Sequence, residues 1–600
     1  MKKIRLIQKS QEKETAPSQE KVRYVIMKTA GGYRKIIIKP PKPKPEKGIK
    51  TGYAYPFPPF MQMEGMSAEE KKREEEKRKI DGIAVPEIIT ERTVLPSMDV
   101  QKINIKYSLI PKQPKQGDRI YAYAHIYWEK DELVYHIIEP AVSEEQRKLL
   151  NEIKEYIQEK IDIDFVQLKG NETRDYITDI FDNALDYFKI RIVGDTRDIL
   201  RYYILRDFLG LESIEPLLND PRIEDISCDG IGIPLYVYHR DPNMGSLRTN
   251  IMFKTKEELD LFASKLAERC GKNLSVARPM LDGTLPDGSR VQATLGSDIA
   301  RQGSNFTIRM FTEEPFTPID FIKIGTVDIR IMAYFWFLVE HGSSVLVSGG
   351  TATGKTSMLN VLSLFIKPQM KIISIEDTSE LRLPHPHWVP EVARVPMAEM
   401  YSEGKVDMYE LLRNSLRQRP DYIIVGEVRG HEAYVLFQQM AVGHTGLATI
   451  HAENYPKLID RLTTKPISLP MNLLENLDVV VFLKRVREKG GRYIRRTSSV
   501  IEMCGYDREK DILISNELFK WDPRSDGFVA INKSAILKKV ADGSGLDYVD
   551  VQNDIKKRAK VLKWMIDKNI RDYRKVSGVI NLFYISPDYL LERIDAEMIV

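Results

Sequence analysis

The sequence predicts an α/β fold that contains more than one domain. Between residues 342 and 483, apolar strand-like segments alternate with segments of helical spacing, which is typical of a mostly parallel sheet buried on both faces. The strand-like segments read SVLVSG, KIISIED, YIIVGE and VVVFL. A chain of 600 residues also exceeds what one hydrophobic core usually organises, so we expect two or more domains.

Composition and hydrophobic spacing divide the chain into five predicted segments. Residues 1–115 are basic and proline-rich and predict an irregular tether with one short charged helix, because proline fixes φ and lacks an amide donor. Residues 116–220 predict a strand pair and a helical bundle, and residues 221–312 a small α/β domain. The main α/β core is expected over residues 313–510, followed by a mixed extension over residues 511–600.

The overall composition argues against several classes of protein. The 90 basic and 86 acidic residues leave a net charge of +4, which gives no indication of nucleic-acid binding. The three cysteines form no CxxC pair, so we expect neither a disulfide framework nor structural zinc. The longest apolar run, residues 331–339, is too short for a membrane span of roughly 20 residues and predicts a buried helix. With no apolar signal segment at the N-terminus, we expect a cytoplasmic protein.

The segment GGTATGKT, from Gly349 to Thr356, matches a phosphate-binding loop. It lies between the predicted strand SSVLVS and the helical segment SMLNVLSLFIK, which is the context that the motif requires. Its glycines let successive N–H groups turn toward an anion at a helix N-terminus. Lys355 is expected on the β/γ-phosphates and the Thr356 hydroxyl on Mg²⁺. The predicted ATP-binding residues are Gly349, Gly350, Thr351, Ala352, Thr353, Gly354, Lys355, Thr356 and Ser357.

Acidic residues follow two further predicted strands. Glu376, Asp377 and Glu380 lie in IEDTSE, and Glu427 lies in RPDYIIVGEVRG. Open α/β sheets bind their ligands at the carboxyl ends of the strands, so we expect these acids to converge on the phosphate loop. They are therefore candidates for magnesium and for the attacking water, with Glu376 and Glu427 joining Thr356 at the metal. Alone, each acid would more often be a loop residue or part of a surface ion pair.

Two histidines, His444 and His451, lie in the segment GHTGLATIHAEN. An isolated histidine is usually structural, and a spacing of seven residues is not a zinc signature. The functional interpretation is that one or both imidazoles sense the γ-phosphate and report its presence to a neighbouring segment.

Four blocks occur in the order GGTATGKT, IEDTSEL, RPDYIIVGEVR and GHTGLATIHA, and this order resembles the secretion-superfamily ATPases. Those proteins drive type II and type IV secretion, pilus assembly and the archaeal flagellum. The resemblance covers residues 221–483 and implies a RecA-like core within a hexameric ring. By this resemblance the blocks are the Walker A, aspartate, Walker B and histidine boxes. Glu380 would then be the general base, while Glu427 replaces the more usual aspartate and would act on magnesium or water.

Two arginine-containing segments, LSVARPMLDGTLPDGSRVQATLG and TIRMF, look most like the archaeal branch of that superfamily. In the family, arginines of these segments reach the γ-phosphate across a subunit boundary, and Arg290 and Arg309 are the matching positions. Arg301 is a further, weaker candidate. The tetracysteine zinc module of many bacterial relatives is missing, which favours the archaeal or conjugation-type branches. The first hundred residues and much of the C-terminal tail match no family pattern.

The resemblance predicts an ATP-hydrolysing motor that assembles a surface filament, either an archaeal flagellum or a type IV-like pilus, or that drives secretion. Such a motor would be a homohexamer at the inner face of the cell membrane. Its expected partners are a polytopic platform protein and filament or secretion subunits. One alternative is a conjugation-type ATPase that moves DNA, although the near-neutral charge disfavours direct nucleic-acid binding. Another alternative is an ATP-gated scaffold without turnover, which the set of acids disfavours.

Overall fold

The computed structural model divides the chain into two compact units, Met1–Arg78 and Lys79–Val600. In the first unit, β1 (Arg23–Thr29) and β2 (Gly32–Ile38) form an antiparallel hairpin. The predicted charged helix after Ser67 lies outside the described residues. The structure describes residues 23–29, 32–38, 82–88, 100–160, 171–192, 194–241, 243–296, 298–311, 314–394, 406–487 and 493–598.

A nine-stranded mixed sheet forms the N-terminal part of the second unit. Its strand order is β3-β4-β5-β8-β7-β6-β11-β10-β9, with β5 and β8 parallel and every other pair antiparallel. The predicted boundary at residue 220 therefore falls inside one sheet, because β5 pairs with β8 across more than 100 residues of sequence. The strands are β3 (Asn104–Ile110), β4 (Ala122–Glu129), β5 (Glu132–Ile138), β6 (Ile223–Cys228), β7 (Pro234–His239), β8 (Ser246–Met252), β9 (Met280–Thr284), β10 (Arg290–Thr294) and β11 (Asn305–Arg309).

Three long helices lie between β5 and β6 in the sequence. They pack on one another around an apolar core of their own. A carboxylate just after β5 fastens the bundle to the sheet: Glu139 accepts a hydrogen bond from Tyr202 (2.6 Å) and two from Arg206 (both 2.8 Å). Two further helices, one short and one lying on the sheet, complete the N-terminal part. The five helices are α1 (Glu144–Lys160), α2 (Asn171–Tyr187), α3 (Asp195–Leu209), α4 (Glu215–Leu218) and α5 (Lys256–Arg269).

A second nine-stranded sheet forms the core, in the order β14-β13-β15-β16-β12-β17-β18-β19-β20. The strands from β14 to β17 in this order run parallel and the last four antiparallel, which confirms the predicted α/β class and RecA-like core. The predicted boundary at residue 510 falls inside the β18–β19 hairpin, because β18 to β20 extend the same sheet. The strands are β12 (Val345–Gly349), β13 (Ile372–Glu376), β14 (Trp388–Val392), β15 (Tyr422–Val428), β16 (Thr445–Ile450), β17 (Val479–Arg487), β18 (Tyr493–Asp507), β19 (Ile512–Asp522) and β20 (Gly527–Ala530).

Ten helices pack around the described part of this core sheet. The apolar run 331–339 belongs to α7 and is buried along its whole length, as the sequence predicted. No described helix combines the length and apolar character needed to cross a membrane. The helices are α6 (Pro318–Lys323), α7 (Ile329–Glu340), α8 (Lys355–Ser363), α9 (Met408–Ser415), α10 (Glu432–Ala441), α11 (Tyr455–Thr463), α12 (Ala535–Ser544), α13 (Tyr548–Asp567), α14 (Tyr573–Ile585) and α15 (Pro587–Met598).

A buried arginine fastens the C-terminal helices to the core. Arg558 on α13 is 2% exposed and donates hydrogen bonds to Asp554 (2.7 Å) and to Glu340 at the end of α7. Its guanidinium carbon also lies 5.2 Å from the Trp336 ring and 5.1 Å from the Phe583 ring, where cation–π attraction adds to the ion pairs. Residues 548–598 are therefore part of the folded core and not a separate appendage.

We expect Arg558→Ala to lower the free energy of unfolding by about 3 kcal/mol, because the partly buried Glu340 and Asp554 carboxylates would lose their buried partner and the rings around it. Lys367, 3.0 Å from Glu340, limits the loss. The matched control is Lys557→Ala on the same helix, whose ion pair with Asp588 is exposed and should contribute less than about 1 kcal/mol. Urea denaturation of both variants measures the difference. Equal stabilities of the two variants would contradict the structural role of Arg558.

Candidate nucleotide site

The loop between β12 and α8 has a backbone that few sequences can adopt. A Cβ atom at Gly349 would lie 2.6 Å from the Leu483 carbonyl oxygen, so only glycine fits there. Gly354 has a φ of +89°, which glycine adopts without strain. Ala352 has a φ of +58°, a left-handed conformation that costs a residue with a side chain about 1–2 kcal/mol. Geometry therefore explains Gly349 and Gly354, and Ala352 is held in a conformation that is unfavourable for a residue with a side chain.

The N-terminus of α8 supplies the positive end of the site. The first N–H groups of a helix have no partner within the helix and favour an anion, and Thr356 and Ser357 lie in this first turn. The Lys355 ammonium lies over the loop and donates a hydrogen bond to the Gly350 carbonyl at 3.0 Å. Burial lowers the pKa of Lys355, an effect that the Glu427 carboxylate opposes. Loop, helix end and ammonium together make a compact site for phosphate groups.

Parallel pairing brings the acidic strand ends to the same edge of the sheet as the loop. At the end of β15, Glu427 accepts a hydrogen bond from Arg429 at 2.8 Å, and Arg429 also lies 3.3 Å from Asp377 after β13. Partial burial raises the pKa of Glu427, but the hydrogen bond and charge of Arg429, with Lys355 and His451, hold it below its ordinary value. Glu427 is therefore an ionised carboxylate next to the phosphate loop.

Glu376, the last residue of β13, is 1% exposed and points into the turn that follows it. One carboxylate oxygen accepts hydrogen bonds from the backbone N–H groups of Glu380 (2.8 Å) and Leu381 (3.0 Å). The other oxygen makes no hydrogen bond with any residue that the structure describes. Burial raises the pKa of Glu376 to about 7. In this arrangement, Glu376 shapes the turn that carries Glu380.

The two main arginine candidates are direct neighbours. Arg290 and Arg309 face each other across the antiparallel pair of β10 and β11. Arg290 lies 3.5 Å from Asp282, whereas Arg309 lies 3.6 Å from Glu380 of the same chain. Arg301 is exposed in the segment between these strands. The structure thus brings Arg309, but not Arg301, to the acids of its own phosphate loop.

The two histidines lie at opposite ends of β16. His451 follows the strand, and its Nε2 is 2.9 Å from the Thr351 hydroxyl of the phosphate loop. Burial and the charge of Lys355 lower the pKa of His451, which favours the neutral imidazole. His444 precedes the strand, roughly 20 Å away at the rise of a β-strand. Because the six residues of β16 separate the two histidines, His444 lies at the opposite edge of the sheet from its own phosphate loop.

Two side chains at the site were missed by sequence reasoning. Arg429 follows the last residue of β15 and contacts both Glu427 and Asp377. Its position two residues after Glu427, in extended chain, could have indicated a shared face. Arg495 on β18 donates a hydrogen bond to the Ala352 carbonyl at 3.1 Å. No local signal marks Arg495, because its contact depends on the pairing of β17 with β18.

The oxygen donors at this edge fit magnesium bound together with a phosphate. Magnesium usually takes one or two protein oxygens and completes its shell with phosphate oxygens and water. The Thr356 hydroxyl on α8 and the Glu427 carboxylate near the end of β15 are such donors. Within the described ranges, no group of three or more His, Cys, Asp or Glu side chains is placed to hold a metal ion. Magnesium at this edge would therefore need phosphate oxygens and water to complete its shell.

Residues 218–500 match the family model described as Type II/IV secretion system protein. Residues 524–600 match a second model, described as PilB3-like, C-terminal. The expectation that the tail matches no family pattern is therefore wrong for these residues.

Two curated proteins and one solved structure are similar to parts of the chain. An uncharacterized protein of Methanocaldococcus jannaschii, MJ0900, is 41% identical over 400 residues, which cover 66% of this chain and 71% of the relative. The type IV secretion system protein PtlH of Bordetella pertussis is 30% identical over 319 residues, covering 47% of this chain and 91% of PtlH. The crystal structure of the VirB11 ATPase of the Brucella suis type IV secretion system is 24% identical, covers 47% and 90% of the two chains, and has a TM-score of 0.24. The chain belongs to the type II/IV secretion system protein family.

Proposed function

We propose that the chain is a Mg²⁺-dependent ATPase that serves as the motor of a filament-assembly or secretion machine. The observation that carries the proposal is the ionised Glu427 beside Lys355, at the sheet edge where the phosphate loop meets the N-terminus of α8. A site for binding alone needs the loop and the ammonium. A carboxylate held ionised at the same edge adds a group that can act on magnesium or on water.

Each group at the site has a separate proposed task. The loop N–H groups and Lys355 bind the β- and γ-phosphates, and Thr356 and Glu427 hold the magnesium. When bound, Mg²⁺ neutralises charge on the phosphate oxygens. Glu380 orients the attacking water and accepts its proton, and Glu376 positions Glu380 through the backbone of the turn. This arrangement assigns Glu376 to support and leaves Glu427 as the acid at the metal.

Family membership supports the proposed role in filament assembly or secretion. The chain would work as a homohexamer on the cytoplasmic face of a membrane, recruited by a polytopic platform protein and coupled to filament or secretion subunits. An archaeal flagellum or type IV-like pilus is the finer proposal, and transport of DNA is the alternative. Salt-dependent binding of the purified protein to DNA would favour the alternative, because phosphate contacts release counterions. Absence of such binding, together with capture of the platform protein, would favour filament assembly.

Substitutions at the site should separate binding from turnover. We expect Lys355→Ala to weaken ATP binding and abolish phosphate release, because the loop loses its mobile positive charge. Glu427→Gln should keep nucleotide binding within about threefold but slow phosphate release by about 10² or more. The control is Lys520→Ala on β19, an exposed lysine paired with Glu517, which should leave both unchanged. Undiminished turnover in both site variants would refute the enzyme proposal.

Glu376 should make stability depend on pH. Its pKa is about 7 when folded against an ordinary value of 4.5, so between these values the folded protein keeps a proton that the unfolded chain releases. The contribution of Glu376 to the free energy of unfolding therefore falls by roughly 3 kcal/mol as pH rises from 4.5 through 7. We expect Glu376→Gln to have the same thermal midpoint as the wild type at pH 5 and a higher one at pH 8. A midpoint difference that does not change between these pH values would contradict the assignment.

Mixed rings test which chain each arginine serves. We propose that Arg290 completes the site of the adjacent subunit, whereas Arg309, held beside Glu380, serves its own. An inactive Arg290→Ala chain should then regain phosphate release when mixed with Lys355→Ala chains, which still carry Arg290. An inactive Arg309→Ala chain should gain nothing from the same mixing, and Arg301→Ala should be active alone. Equal recovery of phosphate release by the Arg290 and Arg309 variants would contradict these separate roles.

A further inference from the structure

Arg495 reaches the phosphate loop from a distant strand and contacts it at two points. Its Nε donates a hydrogen bond to the Ala352 carbonyl oxygen at 3.1 Å. Its Cδ lies 3.5 Å from the position that a Cβ of Gly354 would take, so the aliphatic stem lies on the loop. The aliphatic part of the Arg495 side chain therefore lies against the loop at Gly354, and its guanidinium binds the loop backbone at Ala352.

The contact fixes the orientation of one peptide group. In a planar trans peptide the C=O and the following N–H point in opposite directions. A carbonyl of Ala352 that is held outward by Arg495 therefore turns the N–H of Thr353 toward the inside of the loop, where a phosphate would be. Ala352 also has a left-handed φ of +58°, which a residue with a side chain leaves readily unless something holds it. Arg495 is the side chain that holds this peptide.

We propose that Arg495 is a positioning residue of the phosphate loop, which keeps the Thr353 N–H directed at the nucleotide phosphates. This inference rests on the proposed nucleotide function of the loop. Arg495 acts through the Ala352 carbonyl and not on the reacting atoms. Its loss should weaken nucleotide binding more than it slows the chemical step, since the acids at the neighbouring strand ends stay in place.

The chain offers a matched control on the neighbouring strand. Arg485 on β17 faces Arg495 across the antiparallel pair. It donates a hydrogen bond to the Tyr238 hydroxyl at 3.2 Å, and its guanidinium lies 4.0 Å from the Tyr493 ring. Arg485→Ala therefore removes the same charge from the same hairpin while the contact with the loop remains. A purely electrostatic effect of the hairpin would affect both variants alike.

The test is binding of ADP with Mg²⁺ to the full chain, measured by calorimetry. We expect Arg495→Ala to raise the Kd about tenfold, the loss of one charge-assisted hydrogen bond, and Arg495→Lys to recover most of it. Arg485→Ala should bind as the wild type does. In an Ala352→Gly background, the effect of Arg495→Ala should shrink below about threefold, because glycine adopts a positive φ without strain. In steady-state assays, Arg495→Ala should raise KM and leave kcat within about twofold.

Several results would overturn the proposal. Wild-type affinity of Arg495→Ala would do so, as would an equal loss of affinity in Arg485→Ala. A fall in kcat at unchanged KM would assign Arg495 to the chemical step instead. Failure of the proposed function is a separate outcome, since in that case the wild type and Lys355→Ala would bind ADP equally poorly. Thermal midpoints of all variants identify any that fail to fold. If Arg495→Ala is one of them, Arg495→Met carries the test, because it keeps the aliphatic stem, removes the guanidinium and should raise the Kd by a similar factor.

Discussion

The site depends on the parallel register of four strands, β13, β15, β16 and β12, in that spatial order. Parallel strands end at the same edge of a sheet, so one constraint brings four chain segments together. The phosphate loop follows β12, and the turn that carries Glu380 follows β13. Glu427 is the next-to-last residue of β15, and His451 follows β16. Because β16 lies between β12 and β15, His451 contacts the loop directly. A change in this strand order would separate the acids from the loop.

The charged groups at this edge form ion pairs with one another. Arg429 holds Glu427 and Asp377, and Arg309 reaches Glu380 from the N-terminal sheet. Such pairs are partly buried, where charge interactions are stronger than in bulk water. A nucleotide that brings its own negative charge and a divalent cation would therefore enter an ordered set of charges. Its binding would replace the contact of Lys355 with the Gly350 carbonyl and rearrange the ion pair of Arg309 with Glu380.

The sequence predicts most of the phosphate site and less of what surrounds it. The loop, the acids after β13 and β15, and the buried α7 all follow from local patterns that report backbone geometry. The boundaries at residues 220 and 510 did not follow, because β5–β8 and β18–β19 pairing depends on distant partners. Arg495 escaped notice for the same reason. His444 was misplaced although the intervening strand of β16 determines which end each histidine occupies.

We propose that the groups at this sheet edge hydrolyse ATP with the help of magnesium. The most direct measurement is steady-state phosphate release by the purified full-length wild-type protein, with ATP supplied in the presence of Mg²⁺ or of EDTA. We expect continuous turnover with Mg²⁺ and no turnover with EDTA. A protein that binds ATP tightly but releases no phosphate in either condition would contradict it, and would make the chain a nucleotide-gated scaffold.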